Sequence, residues 1–159
     1  MTDSNPNPRK LARIPERCRE IMRSPVRTLA EHETVLAAAR MMREHDIGLV
    51  VVCDASGCLS GVLTDRDIVI RVVASNLDPF LTIGRIMTRG AVTCAPDDAL
   101  AEVMRAMREH RHSRVIVAEE GRQPVGVISL SDLAQYETVA TVGRTLRAVS
   151  ERKYGPERP

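Results

Sequence analysis

Two residue pairs in this chain could do chemistry at a fixed spacing. Thr64 precedes Asp67 by three positions, and Ser129 precedes Asp132 by three. Each pair follows an apolar run, so a hydroxyl closes a strand and a carboxylate lies in the first turn of the next helix. That turn exposes unpaired N–H groups and the positive end of a dipole, where phosphate can be held. A fixed carboxylate beside it can accept two hydrogen bonds from a vicinal diol such as ribose. Hydroxyl, helix end and carboxylate together suit a nucleotide. The same spacing also writes a capping box, in which the hydroxyl caps the helix and the carboxylate reaches back to the backbone. Either reading accounts for one copy.

The pairs sit inside a phrase written twice. GVLTDRDI begins at Gly61 and GVISLSDL at Gly126, an offset of 65 residues. The same offset places Ile21-Met22 on Ile86-Met87, Thr28 on Thr93, and Met42-Arg43-Glu44-His45 on Met107-Arg108-Glu109-His110. It also places Val50-Val51-Val52 on Val115-Ile116-Val117. A duplication with a fixed offset governs any fold argument. In the second copy, Ala91–Cys94 is β-prone, and Pro96-Asp97-Asp98 marks a helix start. Leu100, Val103, Met104 and Met107 form one helical stripe. Val115–Ala118 and Val125–Ser129 read as a hairpin across a turn containing Gly121, and a helix begins near Ser131. In the first copy Val35, Ala38, Ala39 and Met42 make the stripe. Leu49–Cys53 and Leu59–Leu63 make the strands, and a helix runs from about Asp65 to Ala74. Each unit is β-α-β-β-α and too small to bury much alone, so the two are expected to pack together. The glycines of the phrase leave room for a backbone or a ligand to come close.

The expected organisation is a polar tail over residues 1–17, disordered by composition, then repeats over 18–78 and 79–137. A C-terminal helix and tail occupy 138–159. Val139, Val142, Leu146 and Val149 share one face of that helix, which could cover the core or join a second copy.

Composition removes several functions. Phe80, Tyr136 and Tyr154 are the only aromatics, so base-stacking platforms for single strands are missing. Twenty-three basic and 21 acidic residues are interspersed, with a net charge of +2; a duplex binder more often concentrates its basic residues on one face. Cys18, Cys53, Cys58 and Cys94 include no Cys-x-x-Cys pair, so they read as reduced thiols rather than metal ligands. The polar N-terminus lacks a signal sequence, and the apolar run at Ile47–Cys53 is too short to span a bilayer. The expected compartment is the cytoplasm. No nucleophile–base arrangement and no Gly-x-x-x-x-Gly-Lys-[Ser/Thr] loop is legible, so no catalytic residue is assigned and an enzyme is not expected.

The β-α-β-β-α repeat, the G-V-[LI]-[TS]-x-x-D-[IL] phrase and the two Ile-Met openings resemble a tandem pair of cystathionine-β-synthase (CBS) domains over Cys18 to about Tyr136. MREHDIGLVVV followed by GVLTDRDIVIRVVA is similar to stand-alone bacterial pairs of the hypoxia-response type. The resemblance implies an α+β fold, with two repeats packed pseudo-symmetrically around two clefts, plus the C-terminal helix. It implies an adenosine nucleotide as ligand, AMP or ATP first, with ADP, S-adenosylmethionine and NAD as further candidates, and no covalent cofactor. By that resemblance Asp67 and Asp132 hold the ribose diol, and Thr64 and Ser129 lie near phosphate. One cleft joins Thr64, Arg66 and Asp67 with Ala91, His112 and Ser113. The other joins Ser129, Ser131 and Asp132 with Val26, Ile47 and Gly48. Arg66 would add a phosphate partner to one cleft only, if it points inward, since Ser131 is its counterpart. The resemblance further implies a homodimer and a regulated partner on another chain. The strand prolines of many family members are missing from Leu49–Val52 and Arg114–Val117. A ligand-free dimer acting as an interaction scaffold is the competing expectation.

Overall fold

Helix formation follows the stripe in both repeats. The structure, a computed structural model, describes residues 15–151, so most of the expected N-terminal tail and the last eight residues lie outside the described residues. After a short helix α1 (Cys18–Ile21), the first repeat runs β1 (Thr28–Ala30), α2 (Val35–His45), β2 (Leu49–Cys53), β3 (Leu59–Thr64) and α3 (Asp65–Ile68). A π-helical turn over Val69–Val73 continues α3. The second repeat runs β4 (Thr88–Arg89), β5 (Thr93–Cys94), α4 (Leu100–His110), β6 (Arg114–Ala118), β7 (Pro124–Ser129) and α5 (Leu130–Leu133). A last helix α6 spans Val139–Ser150. The Thr34 hydroxyl caps α2 by accepting the Ala37 N–H at 3.1 Å, and Val35, Ala38 and Met42 are its buried stripe. Leu100, Val103, Met104 and Met107 are the stripe of α4. Both helices stop at a residue in left-handed conformation, Asp46 (φ 51°) and Arg111 (φ 55°), 65 positions apart.

The strands form two sheets, β1-β2-β3-β4 and β5-β6-β7. In each, the first strand pairs in parallel with the second, which pairs antiparallel with the third. Strand β2 is buried on both faces because its period-two alternation serves two cores. Val50 and Val52 face the core of the first repeat. Val51 and Cys53 face a cluster that includes Ile116 of β6. Val51 with Ile116, Val62 with Val127, and Val26 with Ala91 are offset-matched pairs in this seam. The repeats therefore pack through their sheets, with helices outside.

Each repeat's lead-in crosses to the other. Strand β4, the lead-in of the second repeat, adds to β3 in the register Gly61↔Arg89 and Val62↔Thr88. The matching segment before the first repeat bridges Arg23 to Val127. Accordingly Cys18 and Ile21 lie in the core of the second repeat, and Ile83, Ile86 and Met87 in that of the first. The phrase glycines serve this crossing. A Cβ on Gly61 would overlap the Thr88 carbonyl oxygen, and one on Gly126 would stand 2.7 Å from Met22 Sδ.

The apolar face of the C-terminal helix is divided between the core and the exterior. Val142 and Val149 pack on the second core, while Val139 and Leu146 are exposed. Thr145 is buried between them, donating to the Thr141 carbonyl and accepting from Arg108, each at 3.1 Å. The side of the helix carrying Thr145 fits the close approach of α4, and two of the four residues of the apolar stripe are exposed. Among the described residues no helix is long and apolar enough to cross a membrane.

Candidate functional site

A cleft opens at each end of the seam between the sheets. The first is bounded by Thr64, Asp67, Ala91, His112 and Ser113. The second is bounded by Val26, Ile47, Gly48, Ser129, Ser131 and Asp132. Strand ends of one repeat supply the hydroxyl and carboxylate, while the other repeat's lead-in and helix-to-strand turn supply the opposite wall. Of the twelve residues singled out from sequence, only Arg66 is not in a cleft lining; it is exposed, and its counterpart Ser131 lines the other cleft. The cavities measure about 250 and 190 Å³ respectively. One water needs about 10–15 Å³ on this measure, so each has room for a small molecule.

The two carboxylates have the same local geometry. Both are capping boxes closing a single-turn helix. The Thr64 N–H donates to Asp67 Oδ2 at 3.0 Å and the Thr64 hydroxyl to the same oxygen at 2.6 Å. The Asp67 N–H returns to Thr64 Oγ1 at 3.2 Å. At Asp132, the Ser129 N–H donates to Oδ2 at 2.9 Å, joined by the Ser129 hydroxyl, and the Asp132 N–H returns at 3.2 Å. The cap therefore occupies one oxygen of each carboxylate.

An arginine holds the other oxygen, and here the clefts part. Asp67 Oδ1 pairs with Arg71 one turn further along its own helical segment, at 3.2 Å; Arg71 also donates to the Ile86 carbonyl and to Thr88 Oγ1. Asp132 Oδ1 pairs with Arg23 from the crossing lead-in of the other repeat, at 2.8 Å. Arg23 lines the cleft; Arg71 does not. Burial disfavours the charged form of Asp132. The hydrogen bonds from the Ser129 hydroxyl and N–H, with the Arg23 guanidinium, outweigh it and hold the carboxyl below its ordinary value.

Sequence reasoning passed over Arg23 and Arg27, both in the lining, and weighed Arg114 only for the shape of a cleft entrance, whereas it lines both clefts. The signal lay in the offset itself, since their counterparts Thr88, Val92 and Leu49 also line the clefts. The four cysteines are free thiols. No group of three or more His, Cys, Asp or Glu among the described residues could hold a metal ion.

Exchanged lead-ins, face-to-face sheets and a cleft at each end of the seam define a tandem-repeat module with two pseudo-equivalent sites. The chain belongs to the CBS domain family, whose model matches residues 18–74 and 83–138. It is 37% identical over 132 residues to hypoxic response protein 1 of Mycobacterium tuberculosis, covering 82% of this chain and 92% of that protein. The crystal structure of hypoxic response protein I, with two coordinated zinc ions, superposes with a TM-score of 0.69 at 38% identity, covering 77% of this chain and 99% of that one. A CBS domain protein from Pyrobaculum aerophilum complexed with AMP gives a TM-score of 0.70 at 26% identity, over 82% of this chain and 98% of that one. The CBS domain pair of protein MJ0100, in complex with 5′-methylthioadenosine and S-adenosyl-L-methionine, gives 0.68 at 28% identity, over 75% and 93%.

Proposed function

We propose that this chain is a regulatory, non-catalytic CBS pair that binds an adenosine nucleotide between its repeats and signals to a partner protein. One observation carries the reading: a hydroxyl–carboxylate pair of one repeat faces the other repeat across a cleft, at both ends of the seam. Asp67 and Asp132 would accept the ribose hydroxyls. Aliphatic walls such as Val26 and Ile47, or Ala91 and Val62, would take the adenine. Solved relatives holding AMP or S-adenosyl-L-methionine support the ligand class. The homodimer expected for the family is supported by exposed apolar side chains at Val69, Ile70, Val73, Leu77 and Phe80, the kind of surface that association covers.

The completed capping boxes favour a second reading. Both carboxylates already have hydrogen-bond partners, as a ligand-free scaffold requires. Thermal unfolding against AMP, ADP, ATP, S-adenosylmethionine and NAD separates the two, with Asp67→Ala and Asp132→Ala in parallel. A ligand bound only by the folded state raises the midpoint with concentration. A rise abolished by one substitution identifies the cleft. No rise at millimolar concentration, with both variants simply melting earlier, leaves the scaffold.

A further inference from the structure

We infer that the two clefts differ in the charge of the ligand they take: the Asp132 cleft is the site for adenosine carrying two or three phosphates, and the Asp67 cleft for the nucleoside or its monophosphate. The inference rests on the nucleotide reading above and adds which nucleotide goes where. Its basis is three offset-matched positions in the linings. Arg23 of the Asp132 cleft is replaced by Thr88 in the other, and Arg27 by Val92. The third position is Leu49 in the first repeat and Arg114 in the second, and both residues line both clefts. The Asp132 cleft therefore has three guanidiniums in its wall and the Asp67 cleft one, which it shares.

Partners sharpen the contrast. Arg23 is committed to Asp132. Arg27 and Arg114 enter no side-chain hydrogen bond or ion pair among the described residues, and both are exposed at the cleft. Two uncommitted guanidiniums offer the paired N–H forks that phosphate oxygens fit best. A phosphate chain that recruits Arg114 into the Asp132 cleft leaves the other with no guanidinium in its lining, and His112 stands there instead. Arg27 is thus the specificity-determining residue, because it lines one cleft only and, unlike Arg23, is not held by a carboxylate.

Isothermal titration with adenosine, AMP and ATP tests this on Asp67→Ala, which leaves the Asp132 cleft, and on Asp132→Ala, which leaves the other. ATP is expected to bind at least tenfold more tightly than adenosine in the first variant and within threefold of it in the second. Adding Arg27→Val, the residue of the other repeat, to Asp67→Ala is expected to cut the ATP-to-adenosine ratio at least fivefold. Photolabelling of the unmodified protein with 8-azido-ATP, mapped by mass spectrometry, is an independent readout should a capping variant fail to fold. Label is expected on the peptides around Val26, Ile47 and Val127 rather than those around Val62 and Ala91. Equal ratios in the two variants, a ratio indifferent to Arg27, or label on the Asp67 side overturns the assignment. Adenosine binding to either variant with no phosphate preference sinks this inference alone. Absence of binding by every form, including the unmodified protein, sinks the nucleotide reading beneath it.

Discussion

Replacing Asp132 by asparagine separates two roles that alanine would remove together. Oδ2 of Asp132 accepts the Ser129 N–H at 2.9 Å, and Oδ1 meets Arg23 at 2.8 Å. An asparagine that turns its oxygen toward Ser129 keeps the backbone satisfied. Its NH2 then replaces Oδ1, where it neither accepts a hydroxyl proton nor attracts Arg23. The stability lost is that of an ion pair whose arginine side chain is 71% exposed, at most about 1 kcal/mol. Alanine instead leaves the Ser129 N–H without an acceptor, about 1–3 kcal/mol, and loses the Arg23 pair as well, at most about 1 kcal/mol more. With roughly 2–4 °C per kcal/mol for a domain of this size, Asp132→Ala is expected to melt about 5–15 °C earlier and Asp132→Asn within about 4 °C of the unmodified protein. Binding should follow the opposite logic. Losing a hydrogen bond to a charged acceptor costs about 1.5–3 kcal/mol, or roughly 10- to 150-fold in affinity, so both variants should lose the ligand of this cleft. Differential scanning calorimetry and titration with the ligand found in the thermal screen read the two effects. If Asp132→Asn melts as early as alanine, charge rather than acceptor geometry holds the turn. If it binds at full strength, the carboxylate does not hold the diol.

The acid limb gives a second check on Asp132. Its folded value is depressed, so its contribution is complete above the unfolded value near about 3.9 and is lost as pH falls through the lower folded one. The midpoint advantage over Asp132→Asn should hold at neutral pH, shrink below about pH 5 and vanish in strong acid; a gap that widens on acidification would reverse the sign. Gly61→Ala should cost about 3 kcal/mol and Gly126→Ala about 1–2 kcal/mol by urea unfolding, because the first meets a carbonyl oxygen and the second a methionine side chain. Equal costs would mean the crossing segments are looser than they stand. Thr145→Val should cost about 1–2 kcal/mol, through the lost bonds to Thr141 and Arg108; a neutral result in the same assay would show that α6 packs without them.

Much of this architecture is legible because its period is written in apolar side chains. The stripes of α2 and α4, the all-apolar β2 and the apolar run Val115–Ala118 of β6 need no tertiary information, and the 65-residue offset pairs the two halves. The exchange of lead-ins is different. Cys18 and Ile21 pack in the second core and Ile86 and Met87 in the first, yet nothing in an Ile-Met dipeptide says which sheet it will cover. Gly61 and Gly126 were the available sign, since a glycine in a strand marks a close approach, but the approaching group is read only from coordinates. What the face of α6 covers was left open by the sequence for a related reason. Hydrophobic spacing selects Val139 and Leu146, whereas contact with α4 selects Thr145, whose hydroxyl finds both a carbonyl and an arginine. Arg23 and Arg27 went unweighed because charge was summed over the chain, where +2 conceals a local difference of two guanidiniums.

Cap and proposed ligand site are compatible accounts of Thr64-Asp67 and Ser129-Asp132 once the oxygens are considered one by one. A carboxylate has two oxygens and about four acceptor positions. The Ser129 pairing uses Oδ2, and the corresponding pairing at Asp67 also uses Oδ2. That leaves Oδ1, oriented by the cap and held meanwhile by an arginine. A turn held by its cap is what a diol acceptor requires, because a side chain already fixed loses little freedom on binding. The arginine differs between the clefts in a way that matters for signalling. Displacing Arg71 disturbs a contact within the helical segment that begins at α3. Displacing Arg23 disturbs a contact between repeats, at the segment that bridges to Val127. A ligand that substitutes its diol for Arg23 therefore changes how the first repeat's lead-in is held against the second sheet. Of the two clefts, the one at Asp132 is the better placed to convert occupancy into a rearrangement that a partner could sense.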